Sequence, residues 1–346
     1  MQLQAGRIAS LDGLRAISIG LVLIGHLAGT RFFPLTQEAG DFFALAETGV
    51  LIFFVISGFL ITTLLLHELD KSGQINLLKF YFRRTLRIFP PYYFLIAVLL
   101  VLRFLGYISL SNYDVFHAFT YTSNYFYPEG WYLGHTWSLS VEEQFYLLWP
   151  ASLLVLGKRK GFLVVASLLV LCPFVRTLSI FHVWHSPESA AFEMLADALA
   201  CGCLLALLRD KLHQQIFYFA LLSSPIFFIL PLLILGISAF QYSTKLYYPF
   251  GLTFTNIGIA ICIDWCVTWS EGKVGRILNS RVIAYVGTLS YSIYLWQQLF
   301  INRNSDAIIA SFPLNIILAA LTAMASYYLI EKPSLQWRQR LETKLL

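Results

Sequence analysis

The stretch LDGLRAISIGLVLIGH, residues 11–26, opens the first long apolar segment of this 346-residue chain and sets the interpretation of the rest. A window of about 20 predominantly apolar residues is long enough to cross a bilayer as a helix. We therefore predict an all-α fold, a polytopic transmembrane helix bundle of about ten spans. The predicted spans are residues 11–30, 47–67, 90–106, 138–157, 161–181, 190–208, 216–238, 247–269, 282–301 and 312–330.

The composition of the chain supports this class. Hydrophobic residues make up 58% of the sequence and charged residues 12%, and the mean hydropathy is +0.68. A soluble domain carries about 25% charged residues, so a single aqueous core cannot hide this much apolar surface. Residues 1–10 show no pattern of a cleavable signal peptide. We expect one integral membrane domain over residues 1–346, with no appended soluble domain.

The basic residues predict the orientation of the spans. With the N-terminus on the cytoplasmic side, all but five of the 24 lysines and arginines fall in segments on that side or at its boundary. The exceptions are Arg31, Arg103, Arg176, Lys245 and Arg303. This asymmetry predicts an N-in and C-in arrangement. The net charge of +5 is then mostly an orientation signal and gives no reason to expect a nucleic-acid partner.

The five cysteines all fall inside predicted spans, and no CxxC pair of the metal-binding type is present. We interpret them as small apolar packing residues. They are Cys172, Cys201, Cys203, Cys262 and Cys266.

Arg15 and His26 share the first predicted span, eleven residues apart. In a helix this spacing places both side chains on one face, about 16 Å apart along the axis. Ionisable residues in a membrane span are candidates for function. The alternative is that Arg15 is an interfacial anchor or pairs with Asp12, and that His26 is a packing residue.

A basic segment at residues 74–89 precedes the third span, which we expect to begin as a helix at Pro90-Pro91. Arg83 and Arg87 are four residues apart and share a helix face, with Arg84 beside them. Two interpretations remain open: the arginines bind anionic lipid headgroups, or they bind the phosphates of an anionic ligand.

The outer stretch, residues 107–137, is rich in tyrosine. It contains Tyr113, Tyr121, Tyr125, Tyr127 and Tyr132. These rings form either an aromatic belt at the membrane interface or a platform for a sugar-like acceptor.

Glu142 and Glu143 open the fourth span from the outer side. Ser138, Glu142 and Tyr146 recur every four residues and therefore lie on one helix face, which we expect to face the interior. Glu142 leads Glu143 as a functional candidate. The structural alternative is a favourable interaction of the carboxylates with the helix N-terminus.

Six segments together resemble the acyltransferase-3 family of integral membrane O-acyltransferases, in order from residue 8 to about 333. They are LDGLRAISIGLVLIGH (11–26), GVLIFFVISGFLIT (49–62), FYFRRTLRIFPPYY (80–93), HTWSLSVEEQFYLLWP (135–150), SYSIYLWQQLF (290–300) and IEKP (330–333). The resemblance implies transfer of an acyl group, often acetyl, from acyl-CoA to a hydroxyl of a carbohydrate or glycosylated natural product. It also implies a bacterial inner membrane location.

On this resemblance His26 is the catalytic histidine. An imidazole is suited to taking a proton from a hydroxyl near neutral pH, and it can alternatively carry the acyl group as a covalent intermediate. Glu142, with Glu143 second, is expected to orient or charge-balance His26. We assign Arg15, Arg83, Arg84 and Arg87 to the donor side. The expected substrate-binding residues are Ser57, His135, Trp137, Ser138, Asp197 and Tyr291.

Two positions depart from similar sequences. Leu195 stands where an arginine often precedes the aspartate equivalent to Asp197, which argues against an ion-pair role for Asp197. Gln297 follows Trp296 where a histidine is common, and a neutral amide there can only form hydrogen bonds. Ser57-Gly58 we interpret mainly as a close-packing site between helices.

We predict a buried site between the first, second, fourth and ninth spans. Acyl-CoA, as a donor substrate, approaches from the cytoplasm, and no tightly bound cofactor or metal is expected. The acceptor reaches His26 from the outer half of the membrane, and membrane lipid surrounds the bundle. The rival class is a proton-coupled transporter, since ten spans with buried His, Glu and Asp also suit a carrier. Against it, no repeat relates the two halves of the chain.

Overall fold

The computed structural model describes residues 8–126, 130–181, 190–239 and 247–345. Residues 343–345 are described by their backbone alone. Tyr127 and Lys245, named above, lie outside these ranges. All regular secondary structure in the described ranges is helical, as predicted. The α-helices are α1 (Leu11–Leu27), α2 (Gln37–Phe42), α3 (Leu45–Ser72), α4 (Leu77–Phe104), α5 (Asn112–Phe119), α6 (Thr136–Ile180), α7 (Phe192–His213), α8 (Ile216–Ser223), α9 (Ile229–Ala239), α10 (Leu252–Thr268), α11 (Lys273–Leu278), α12 (Arg281–Phe300), α13 (Leu314–Ser326) and α14 (Lys332–Leu345).

Every predicted span overlaps helical structure, but the count of ten is not confirmed. Within the described ranges, five helical segments are long and apolar enough to cross a membrane: 37–72, 77–104, 131–180, 247–268 and 314–342. A sixth results if 216–223 and 225–239, which meet at a bend of 69°, form one span. The first predicted span corresponds to α1, which has only 17 residues. The N-in and C-in orientation stays a prediction.

Helix α6 joins two of the predicted spans. It has 45 residues and is interrupted at Gly157, whose φ of 69° and ψ of 176° are not helical. At about 1.5 Å per residue, a segment of this length exceeds twice the roughly 30 Å of a bilayer core. The predicted spans at 138–157 and 161–181 are therefore the two halves of one broken helix.

The expected helix start at Pro90-Pro91 is wrong, because α4 begins at Leu77 and continues through both prolines. Pro90 lacks the N–H that would bond to the carbonyl of Leu86. That carbonyl accepts a hydrogen bond from Ser334 Oγ instead. Membrane helices tolerate proline where neighbouring side chains satisfy the freed carbonyls in this way.

The helices form two compact units. The first contains the described residues of 1–25, 38–75 and 148–288, and the second those of 26–37, 76–147 and 289–346. A single domain over the whole chain stays a prediction.

In the first unit, small residues allow close packing of α3 and α7. Gly58 of α3 lies against the backbone carbonyl of Leu199 in α7, and a Cβ at Gly58 would overlap it. Gly202 of α7 likewise lies against the carbonyl of Val55. The interpretation of Ser57-Gly58 as a packing site is supported by these contacts. The five cysteines are free thiols, and Cys172, Cys201 and Cys203 are buried, as expected of packing residues.

In the second unit, part of the tyrosine-rich outer stretch folds inward. The ring of Tyr121 stacks on that of Tyr92 with centroids 4.5 Å apart, and on that of Phe89 at 5.6 Å. The Tyr92 hydroxyl donates a hydrogen bond to the carbonyl of Ala118. Tyr121 therefore helps to fix the outer stretch against α4, whereas Tyr113 and Tyr125 remain exposed.

Candidate active site

His26 lies in the last turn of α1 and is half-buried. Its Nδ1 is 2.9 Å from Oε1 of Gln297 on α12. The rings of Trp131 and His26 make a T-shaped contact, with the ring centroids 5.8 Å apart and the planes at 68°. Among the described residues, Nε2 of His26 makes no hydrogen bond. One imidazole nitrogen is thus held by the protein, and the other remains available to a substrate.

Trp131 and the residues after α12 complete this wall of the site. Trp131 Nε1 donates a 3.0 Å hydrogen bond to the carbonyl of Ile301. The guanidinium of Arg303 lies 5.6 Å from the centroid of the same tryptophan ring, within the range of a cation–π interaction. The indole is therefore fixed where it contacts the ring of His26.

Nδ1 of His26 is bound to Gln297 and not to Glu142, so the role predicted for Glu142, to orient or charge-balance His26, stays a prediction. The predicted interior face of α6 is nevertheless present. Ser138 and Tyr146 are buried, and Glu142 and Glu143 are both half-buried. The two acidic groups interact electrostatically with each other, and they share this stretch of α6 with the buried Ser138 and Tyr146.

His135 forms a second histidine–glutamine pair. It is only 2% exposed. Its Nδ1 and its backbone N–H lie 2.7 and 3.1 Å from Oε1 of Gln298. Its Nε2 is buried and has no partner within the described part of the chain. The imidazoles of His26 and His135 are close enough to interact electrostatically, so the structure brings the leading candidate and the secondary one together.

The remaining substrate-binding candidates of this unit make hydrogen bonds inside the protein. Ser138 Oγ lies 2.6 Å from the Tyr294 hydroxyl and donates to the carbonyl of His135 at 3.0 Å. The Tyr291 hydroxyl donates to the carbonyl of Ile88 in α4 at 2.9 Å. Trp137 is half-buried. Ser138 and Tyr291 therefore stabilise the walls of the site.

The three arginines of α4 have different neighbours. Arg83 donates two hydrogen bonds to the carboxylate of Glu342 in α14, from Nε at 2.9 Å and from Nη2 at 2.8 Å. Arg84 lies over the ring of Tyr146, 5.0 Å from its centroid. Arg87 interacts electrostatically with the buried Glu331, the acidic residue of the IEKP segment. The predicted cation cluster is present, but acidic side chains compensate part of its charge.

Three predicted site residues belong to the other unit. Arg15 pairs with Asp12 through a 2.9 Å contact, which was the structural alternative for this residue. Ser57 is half-buried in the packed region of α3. Asp197 is fully buried in α7 and forms an ion pair with Arg176.

The ion pair of Asp197 corrects the expectation drawn from Leu195. Both carboxylate oxygens accept hydrogen bonds from Arg176, at 3.1 and 2.8 Å, and both side chains are 0% exposed. Arg176 also donates to the carbonyls of Met194 and Pro249. The cation is thus supplied by α6 instead of by the position before Asp197. The geometry supports a structural role for Asp197 in preference to substrate binding.

Sequence reasoning missed several residues of the site. Trp131, Tyr294 and Gln298 contact the two histidines but received no role, and Gln297 appeared only as a departure from similar sequences. A usable signal was the pair of adjacent amides in WQQLF, two polar residues in an apolar segment. Such buried polar groups need partners.

The comparisons with known proteins show the family of this chain. The sequence profile of the acyltransferase-3 family, described as an acyltransferase domain, matches residues 8–332. The chain belongs to this family and is a multi-pass integral membrane protein. No solved structure matches it significantly.

Three relatives illustrate the similarity. The putative peptidoglycan O-acetyltransferase YrhL of Bacillus subtilis is 30% identical over 94% of this chain and 54% of its own length. The peptidoglycan O-acetyltransferase OatA of Listeria monocytogenes is 27% identical, with the same coverage. The O-acetyltransferase OatA of Staphylococcus aureus is 30% identical over 94% of this chain and 57% of its own length. The chain thus spans about half the length of these relatives.

Proposed function

We propose that this protein is an O-acetyltransferase of the bacterial inner membrane that moves an acetyl group from acetyl-CoA to a hydroxyl of a carbohydrate polymer of the peptidoglycan class. The observation that carries the proposal is the state of His26, whose Nδ1 is bound to Gln297 while Nε2 makes no hydrogen bond among the described residues. The names of the relatives support the acceptor class.

The reaction needs one proton acceptor and one leaving group. His26 Nε2 takes the proton of the acceptor hydroxyl as its oxygen attacks the thioester carbonyl. A C–O bond forms, the C–S bond breaks, and the proton on the imidazolium passes to the departing CoA sulfur. The products are the acetyl ester and free CoA. The half-burial of His26 supports this role, because the imidazole is held by the protein while Nε2 stays open to a substrate.

The donor is proposed to approach the arginine cluster of α4. Guanidinium groups bind phosphates through paired, charge-assisted hydrogen bonds, and coenzyme A carries several phosphates. Arg83 is 47% exposed at its side chain, and both of its bonding nitrogens already hold a carboxylate. A carboxylate and a phosphate offer the same oxygen acceptors, so Glu342 occupies the position that a donor phosphate would take.

We expect Arg83→Gln to weaken acetyl-CoA binding by about tenfold, since a hydrogen bond to a charged group contributes about 1.5–3 kcal/mol. Glu342→Gln is expected to strengthen it by up to about fivefold, because an exposed ion pair is worth only about 0–1 kcal/mol. Isothermal titration calorimetry on the purified protein measures both. The control is Lys160→Gln, which removes an exposed charge of the same predicted side. Equal effects of Arg83→Gln and Lys160→Gln would remove Arg83 from the donor site.

The function itself is tested on the purified full chain in lipid nanodiscs. Labelled acetyl-CoA is supplied with peptidoglycan glycan strands, and CoA release and base-labile label in the glycan are followed. Stoichiometric CoA release and label transfer support the proposal. Binding of acetyl-CoA without transfer to any glycan overturns the acceptor class. Absence of acetyl-CoA binding overturns the enzyme and favours the proton-coupled transporter, which proton flux into proteoliposomes then tests.

A further inference from the structure

Gln297 is a fully buried amide at the centre of the site, with 0% of its surface exposed. Its Oε1 lies 2.9 Å from His26 Nδ1. The structure places the amide oxygen of Gln297 toward the ring and leaves its amide nitrogen buried with no hydrogen-bond partner among the described residues. A carbonyl oxygen can only accept a hydrogen bond, so in this arrangement Nδ1 carries the hydrogen. In a neutral imidazole the other nitrogen then holds the lone pair. The contact with Gln297 therefore selects one of the two tautomers of His26.

The ring is also fixed in direction. The ring of Trp131 makes a T-shaped contact with the imidazole, and Trp131 itself donates a hydrogen bond to the carbonyl of Ile301 just beyond α12. Rotation of the imidazole about χ2 would break the hydrogen bond to Gln297. The hydrogen bond and the aromatic contact together leave one orientation, in which Nε2 presents its lone pair.

The neighbouring residue repeats the arrangement. Gln298 Oε1 accepts a hydrogen bond from the backbone N–H of His135 and contacts Nδ1 of the same residue. This contact selects the Nδ1–H tautomer of His135. Consecutive helix positions point about 100° apart, so one short stretch of α12 orients two imidazoles. A single amide–imidazole contact could arise by chance, but two on adjacent residues indicate a built arrangement.

We propose that Gln297 is a positioning residue that fixes His26 in the Nδ1–H tautomer with a neutral hydrogen-bond acceptor. The kinetic part of this inference rests on the proposed function. A carboxylate at this position would also orient the ring, but it would add a charge that favours the imidazolium. The amide orients the ring without adding a charge, so the proton that Nε2 takes from the acceptor hydroxyl can pass on to the departing thiolate.

The test combines a spectroscopic and a kinetic measurement. The full chain is labelled with ¹⁵N-histidine, and the imidazole signals of His26 are assigned by their loss in His26→Asn. We expect the wild-type shifts of an Nδ1–H tautomer. Gln297→Met, which keeps the length but removes the acceptor, is expected to mix the tautomers and to lower kcat by up to about 100-fold, the cost of a misplaced catalytic group. KM for acetyl-CoA should stay within about twofold. Gln297→Glu, which keeps the acceptor, is expected to retain the tautomer and lose less activity than Gln297→Met.

Several outcomes would overturn the inference. An Nε2–H tautomer in the wild-type protein contradicts it directly, whether or not the variants fold. The inference is also contradicted if Gln297→Met leaves the tautomer of His26 unchanged, or if this variant raises KM without lowering kcat. Thr288→Val, which removes a hydrogen bond within α12, controls for general loosening of the helix. The NMR spectrum can be recorded without any enzymatic turnover, so the two proposals can fail separately. If the protein shows the Nδ1–H tautomer but transfers no acetyl group, the proposed function is rejected and the tautomer assignment is kept.

Discussion

Replacing His26 with alanine is expected to lower acetyl transfer by at least about a hundredfold, since a positioned general base contributes roughly 10²–10⁴-fold to such a reaction. Acetyl-CoA binding should stay within about twofold of wild type, because the arginines proposed for the donor site are unchanged. The measurements are the initial rate of label transfer to the glycan and calorimetric binding of acetyl-CoA.

The control for this experiment is His67→Ala, which removes an exposed histidine of α3 and should leave the rate unchanged. Glu142→Gln tests the second predicted catalytic residue and is expected to reduce transfer without abolishing acetyl-CoA binding. Undiminished transfer by His26→Ala would contradict the assignment of His26 as the base. His135, the neighbouring imidazole, would then be the next candidate. In that case His135→Ala becomes the decisive variant.

The same protein distinguishes a base from an acyl carrier. When the acceptor is omitted and the reaction is quenched, label that remains on wild-type protein but is absent from His26→Ala identifies an acyl-histidine. Our proposal of His26 as a base predicts no protein-bound label. Either route uses Nε2, so the result decides the mechanism without changing the geometry of the site.

Replacing Arg176 with methionine is expected to lower the free energy of unfolding by about 3–5 kcal/mol, because it leaves the carboxylate of Asp197 buried and unpaired. Both side chains of this pair are 0% exposed, so water cannot replace the lost cation. Thermal unfolding of the detergent-solubilised protein, followed by fluorescence-detected size-exclusion chromatography, measures the shift.

Two further variants make this result specific. Lys158→Met removes a cation whose partner Asp70 is at the surface, the side chains being 46% and 65% exposed, and should cost at most about 1 kcal/mol. The double variant Arg176→Met with Asp197→Leu replaces the buried pair with apolar side chains and should recover most of the lost stability. If Arg176→Met were no more destabilised than Lys158→Met, the pair would not anchor the first unit.

The parts of the site that depend on single residues were predictable from the sequence. His26 is ionisable in an apolar segment, and such a residue is costly in a membrane unless it has a use. The helical positions also followed from apolar windows, because helix formation within a membrane satisfies the backbone regardless of tertiary contacts. The acyltransferase family was indicated by six ordered segments and is confirmed.

The parts that depend on partners distant in sequence were not predictable. The Asp197 cation comes from Arg176, 21 residues earlier, whereas helical spacing draws attention to neighbours three or four residues away. The start of α4 was misplaced because the donor that satisfies Leu86 is Ser334, 248 residues later. Gln297 lies 271 residues from His26, and no local pattern connects an amide with an imidazole at that separation.

The adjacency of Gln297 and Gln298 on α12 restricts how this site can change over evolutionary time. A one-residue insertion or deletion earlier in the helix would rotate both amides by about 100° and release two imidazoles in a single event. Point substitutions can alter one amide while sparing the other, but changes in helix length cannot. In proteins that descend from this one and keep its function, we therefore expect α12 to vary by replacement of residues. The number of residues in α12 before Gln297 should stay constant.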